Sequence, residues 1–247
     1  MVVQHNLTAA NTNRQLGITT SGLQKSTEKL SSGYKINRAA DDAAGLSISE
    51  KMRNQIRGLN KASDNAQDGI SLVQTAEGAL NEVHSMLQRM SELSVQAANG
   101  TNDTTDRSSI NDEVQQLKTE IQRVGSTTQF NKMNILDGTF SAGANKLLQV
   151  GANANQTIQI DINALQSVVG SSLKGDLKTE TATNAQSAIT VVQSSIEKLS
   201  KLRSKLGAVQ NRLEHTVANL DNISENTQSS ESVSYTHLRA HETLSDL

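Results

Sequence analysis

Leu59, Ala66, Val73, Leu80 and Leu87 fall seven residues apart, and Ala62, Gly69, Ala76, Val83, Met90 and Ala97 fill the offset of three. This 3-4 seam over residues 59–97 reads as one helix carrying a single narrow apolar stripe. At ~1.5 Å per residue such a rod would be roughly 58 Å long. One rod cannot satisfy so narrow a stripe alone. The chain must place other helices against it, and the rod length argues for an elongated bundle. The Ala and Gly on the seam let a partner helix approach closely.

The pattern recurs along the chain. Ile110, Val114, Leu117, Ile121 and Val124 alternate steps of four and three, and Gly125 is expected to end that helix. Ala185, Val192, Leu199, Leu206, Leu213 and Leu220 again run seven apart, with Ala188, Ser195, Leu202, Val209, Thr216 and Ile223 in the offset positions. Leu16, Leu23 and Leu30 suggest a looser helix near the N-terminus. The run "NGTND" (Asn99–Asp103) should stop the long helix with an Asn or Gly cap. Only "LLQVGANANQTIQIDI" changes period. There Leu148 and Val150, then Ile158, Ile160 and Ile162, alternate around a Gly/Asn-rich loop, as two strands of a hairpin would. The expected fold is mainly α, an elongated bundle of long antiparallel heptad helices with a small β-hairpin insert.

Composition agrees and removes several function classes. Aromatic residues are 2%, with no Trp, so burial must come from Leu, Ile, Val, Met and Ala. Proline is zero, which suits long uninterrupted helices. The 23 basic and 25 acidic residues are interspersed, so neither nucleic acid nor an anionic membrane surface is an expected partner. No apolar run approaches the ~18 residues of a spanning helix, and the N-terminus lacks the apolar core of a cleavable signal peptide. With no cysteine, disulfides, thiol catalysis and cysteine metal sites are all excluded.

The stretch "NRAADDAAGLSISEKMRNQIRGL" (Asn37–Leu59) resembles the N-terminal signature of bacterial flagellins. The likeness continues through "LQRMSELSVQAANGTN" (Leu87–Asn102) and "TTQFNKMNILDG" (Thr127–Gly138), and returns in "LGAVQNRLEHTVANLDNISENTQSSES" (Leu206–Ser232). It implies a structural, non-enzymatic filament subunit without cofactor. Such a subunit is exported unfolded by the flagellar type III apparatus and polymerises beneath a cap, with junction proteins at the filament base. The implied organisation is an inner-tube helix and connecting spoke over 1–46, and rod helices with the start of a β region over 47–140. A short variable region with the hairpin follows over 141–179, then a C-terminal rod helix over 180–232. The short middle implies a flagellin without outer domains. A hook–filament junction protein has a similar helical plan and is the alternative; it would be present in few copies.

By the same resemblance, Arg89, Leu93 and Glu113 match positions contacted by the animal flagellin-sensing Toll-like receptor. Arg89 and Leu93 lie four apart and so share a helix face, which with Glu113 beside them would make an exposed binding patch. Leu59, Val73, Leu80, Leu87, Leu199, Leu206, Leu213 and Leu220 are expected to pack the rod seam. Asp41 and Asp42 are adjacent carboxylates, but nothing bulky and apolar surrounds them to split their acidities, so they read as a helix start rather than a catalytic pair. There is no His-Glu-x-x-His, no phosphate-cradling Gly-rich loop and no Gly-x-Ser-x-Gly elbow. His5, His84 and His215 are isolated.

The last residues differ in kind. His237 and His241 are spaced to share a helix face, and Glu242 adds a third metal-ligand type. Yet Val233–Thr243, "VSYTHLRAHET", resembles the in-frame translation of a sequencing-library adapter, and residues 233–247 are expected to be a non-native tail after Ser232. The resemblance would continue instead into a terminal apolar helix. Without it, the stripe of Leu16, Leu23 and Leu30 has no partner, and the expectation is a chain that forms no filament alone and does not bind the export chaperone.

Overall fold

The structure, a computed structural model, describes residues 7–34, 36–140, 146–163, 165, 169 and 178–236. It is mainly α, with long helices packed against one another and small two-stranded hairpins. The elements are α1 (Leu7–Ser32), α2 (Ala43–Ala98), α3 (Thr104–Thr127), β1 (Gln129–Phe130), β2 (Met133–Asn134), β3 (Leu147–Gln149), β4 (Thr157–Gln159) and α4 (Ala182–Thr236). The chain divides into two units, one of residues 60–221 and the other of residues 1–59 with 222–247.

In the first unit α2 and α4 run antiparallel. Ser63 Oγ donates to Asp221 Oδ1 at 3.0 Å, and further along α2 Glu77 meets Arg203 of α4 at 3.6 Å, so rising numbers on one helix meet falling numbers on the other. Their facing stripes form the core: Val73, Ala76, Leu80, Val83, Leu87 and Met90 are buried, as are Val192, Leu199, Leu202 and Leu206. Even Ser195 on the seam is buried, and its hydroxyl donates back to Val191 O at 2.8 Å, so its polar group is met within the helix.

α3 packs on the same core through Ile110, Val114 and Ile121. Its start is a capping box. Asp103 accepts from Thr104 N–H and Asp106 accepts from Asp103 N–H at 3.3 Å. Two expectations fail at the ends of these helices. Gly125 does not end α3, which continues to Thr127 and closes on Thr128, whose N–H and hydroxyl both donate to Val124 O, at 3.1 and 2.7 Å. Gly125 is buried in α3, and a Cβ there would meet Leu165 at 3.4 Å, an ordinary contact. The stop at Asn99 and Gly100 is real, but neither takes the left-handed cap conformation. The last α2 carbonyls are met by side chains instead. Arg107 Nε donates to Ala97 O at 3.0 Å and Asn102 Nδ2 to Gln96 O at 2.5 Å.

The β3–β4 hairpin pairs Leu148 with Ile158. Its inner side joins Ala66 and Leu213 in a second small core with Val150. Ile162, expected on the hairpin, donates instead to Phe140 O at 2.7 Å. A second hairpin, β1–β2, was not anticipated from alternation. Its two-residue turn, Asn131–Lys132, has both φ values positive (48° and 63°), the geometry of a tight hairpin turn.

In the other unit α1 has no buried residue, and Leu16, Leu23 and Leu30 are 64%, 67% and 87% exposed. The turn after it is organised by carboxylates. Asp41 Oδ2 accepts from Arg38 N–H at 2.9 Å and Asn37 N–H at 3.2 Å, and Asp42 Oδ1 caps α2 by accepting from Gly45 N–H at 2.8 Å. The buried Ser49 and the exposed Arg53 of α2 both donate to Glu231 of α4, at 2.9 and 2.7 Å.

Candidate functional site

The residues singled out for recognition lie where α2 and α3 run side by side. Arg89 Nε donates to Glu113 Oε1 at 2.9 Å, and Arg89 Nη1 reaches Glu92 Oε2 at 3.3 Å. Both partners of the interhelical pair are about half exposed, at 49% and 46%. The hydrogen bond to Glu113, then that to Glu92, raises the Arg89 pKa above its ordinary value, so the guanidinium is charged at any relevant pH.

Leu93 does not join them on the surface. Its side chain is 2% exposed, which corrects the expected exposed Arg–Leu patch. Residues four apart are offset by about 40° around a helix. Here α2 is covered on two sides, by α4 along the seam and by α3 beside it. That rotation places Leu93 in the core cluster shared with Ile110 and Val114 of α3, while the long Arg89 side chain reaches the surface.

What the surface does expose nearby is Val95, at 56%, which alternation around the seam gave no reason to single out. With Gln88, Ser91, Glu92, Gln96 and Ile196 of α4 it lines a shallow groove of about 730 Å³. The arrangement has polar amides, one carboxylate and two apolar contacts. Ser91 adds a hydroxyl, and such a mixture of polar and apolar groups is of the kind a contact surface carries.

Of the seam residues, Val73, Leu80, Leu87, Leu199, Leu206 and Leu213 are fully buried, and Leu59 and Leu220 are 6% and 5% exposed. Ile223, in the offset position, is 37% exposed. Asp41 is held below the ordinary carboxylate range first by the Arg38 and then the Asn37 backbone N–H, which is the behaviour of a turn-forming carboxylate and opposite to that of a general acid. His84 Nε2 lies 3.2 Å from Gln88 Nε2. Among the described residues no group of three His, Cys, Asp or Glu side chains could hold a metal, and no helix is long and apolar enough to cross a membrane. His5, His237, His241 and Glu242 lie outside the described residues.

Two family models match the chain: the bacterial flagellin N-terminal helical region over residues 3–141 and the C-terminal helical region over residues 189–233. A flagellin of Halalkalibacterium halodurans is 55% identical over 233 residues, 94% of this chain and 84% of its own length. The crystal structure of Bacillus cereus flagellin superposes with a TM-score of 0.57 at 32% identity, covering 64% of this chain and 88% of that one. A putative flagellar hook-associated protein from Vibrio parahaemolyticus reaches a TM-score of 0.67 over 79% of this chain and 99% of its own, but at 13% identity it shares the fold alone. The matched regions take in α1 to α3 and most of α4, the same helices that build the seam, so the chain belongs to the bacterial flagellins, the structural subunits of the flagellar filament.

Proposed function

We propose that this flagellin is exported unfolded through the flagellar type III apparatus and serves motility as one subunit of the extracellular filament, alongside cap and junction proteins. The observation that carries the reading is the apolar stripe of α1, left exposed at Leu16, Leu23 and Leu30. Among the described residues nothing covers this heptad-spaced stripe, so it is open to pairing with helices from outside them, those of other subunits included. Repeating one such contact by a rotation that does not close gives a helical polymer. The seam residues from Leu59 to Leu220 then act as the packing that stiffens each rod.

Because the chain has no cysteine, a single introduced one gives a specific label. In a flagellated strain co-expressing a second flagellin, the labelled chain should appear outside the cell and in filaments, and should stay inside when the export apparatus is deleted. Retention in the cytoplasm while the co-expressed flagellin is exported would refute the proposal.

Arg89 and Glu113 form the surface offered to the host Toll-like receptor, with Leu93 holding it from beneath. The support is their exposed ion pair beside an open groove. A reporter-cell assay should show weaker activation by Arg89→Ala; unchanged activation would remove the pair from the contact.

A further inference from the structure

We propose that Asn99–Gly100, in the turn between α2 and α3, is a site of spontaneous deamidation that converts the neutral Asn99 side chain at the end of α2 into a carboxylate. This is the one Asn-Gly pair in the sequence, and both residues are exposed. The Gly100 N–H donates none of the backbone hydrogen bonds that order the turn, and no atom lies within 4 Å of where a Cβ on Gly100 would stand. The nitrogen that must attack is therefore not held by the turn's backbone hydrogen bonds, and the residue carrying it is exposed. The Asn99 Oδ1 faces Thr101 N–H at 3.5 Å, a donor placed beside the oxygen on which charge develops.

In the reaction the Gly100 nitrogen loses its proton to solvent and forms a bond to Asn99 Cγ. The Cγ–Nδ2 bond breaks and Nδ2 leaves as ammonia. Water then opens the five-membered imide at either carbonyl, giving aspartyl or isoaspartyl at position 99. One water is consumed, one ammonia is released and no oxidant is needed. The loop asparagines Asn131 and Asn153 are followed by Lys132 and Ala154, whose side chains hinder the same attack.

The site matters to the turn around it. Arg107 Nη2 donates to Asn99 O at 3.0 Å, and Asn102 N–H to the same oxygen at 3.3 Å. An isoaspartyl linkage adds a methylene to the backbone and carries that carbonyl away from both donors. A carboxylate here also faces the negative end of the α2 dipole.

The test is incubation of the purified chain in mildly alkaline buffer, followed by peptide mapping by mass spectrometry and isoaspartyl methylation. Gly100→Ala is the informative variant, because Gly100 has no left-handed φ and open space for a methyl group, so the fold is retained, as circular dichroism would verify. Exchange of ammonia for water should concentrate at Asn99 and slow by about tenfold or more in Gly100→Ala. Asn99 reacting no faster than Asn131 or Asn153 in the same digest would overturn the proposal, as would equal rates in the two chains.

Discussion

Gly69 on α2 and Leu148 on β3 share a space that holds only one side chain. A Cβ on Gly69 would overlap Leu148 Cδ2 and stand 3.3 Å from Leu213 Cδ1 of α4. The missing side chain is what lets the hairpin seat its inner face on both rod helices. Gly69→Val should therefore destabilise by about 1–3 kcal/mol through overpacking. Gly78 lies on the same helix with nothing within 4 Å of a Cβ, so Gly78→Ala should stabilise by about 0.5–1 kcal/mol. Urea denaturation of the two variants beside the parent chain reads both signs, and a Gly69→Val chain as stable as the parent or more so would show that Gly69 is no packing residue.

Leu93 and Arg89 should separate in the same kind of measurement. Leu93→Ala deletes a fully covered side chain and should cost about 2–5 kcal/mol. Arg89→Ala removes an exposed ion pair and should leave stability close to the parent value. A weaker receptor response from Leu93→Ala would then accompany a lower denaturation midpoint, whereas one from Arg89→Ala would not.

The contrast between these residues shows where the sequence was legible. Spacing alone located α2, α3 and α4, because a seven-residue apolar repeat has no other economical solution than packed helices. It could not say that Leu93 is covered, since that depends on α3 returning alongside α2 rather than on any repeat within α2. Gly125 misled because a glycine need not mark a stop, and α3 continues through it to Thr127. The β1–β2 hairpin escaped because its strands have two residues each, too short for alternation to register. The one cue was Asn131, a residue type that tolerates positive φ. Family resemblance singled out Arg89 and Glu113, and periodicity gave no hint of their pairing.

Glu231 should prove more costly to remove than its charge suggests. Its carboxylate is 14% exposed and accepts from the buried Ser49 hydroxyl as well as from Arg53. Glu231→Ala takes the acceptor from a buried donor and should cost about 1–3 kcal/mol. Glu231→Gln keeps an oxygen for Ser49 and should recover much of that loss. Equal destabilisation by the two substitutions would assign the effect to charge rather than to the hydrogen bond.

The cap of α3 should give the turn an acid-sensitive stability. Asp103 is held below its ordinary value chiefly by the Thr104 hydroxyl, then by the Thr104 N–H. A carboxylate whose folded pKa is lowered contributes stability that is present in full above its unfolded value and is lost as pH falls through the folded one. The α2–α3 turn should therefore be at full strength at neutral pH and weaken only in strong acid, below the ordinary aspartate range. Asp103→Asn keeps a side-chain oxygen for Thr104 but cannot titrate. Carboxyl NMR titration should place the Asp103 midpoint below that of an unstructured aspartate, and the Asp103→Asn chain should lose less stability than the parent between neutral and strongly acidic pH. A normal Asp103 midpoint, or identical acid profiles for the two chains, would mean that the capping box carries no pH-dependent stability.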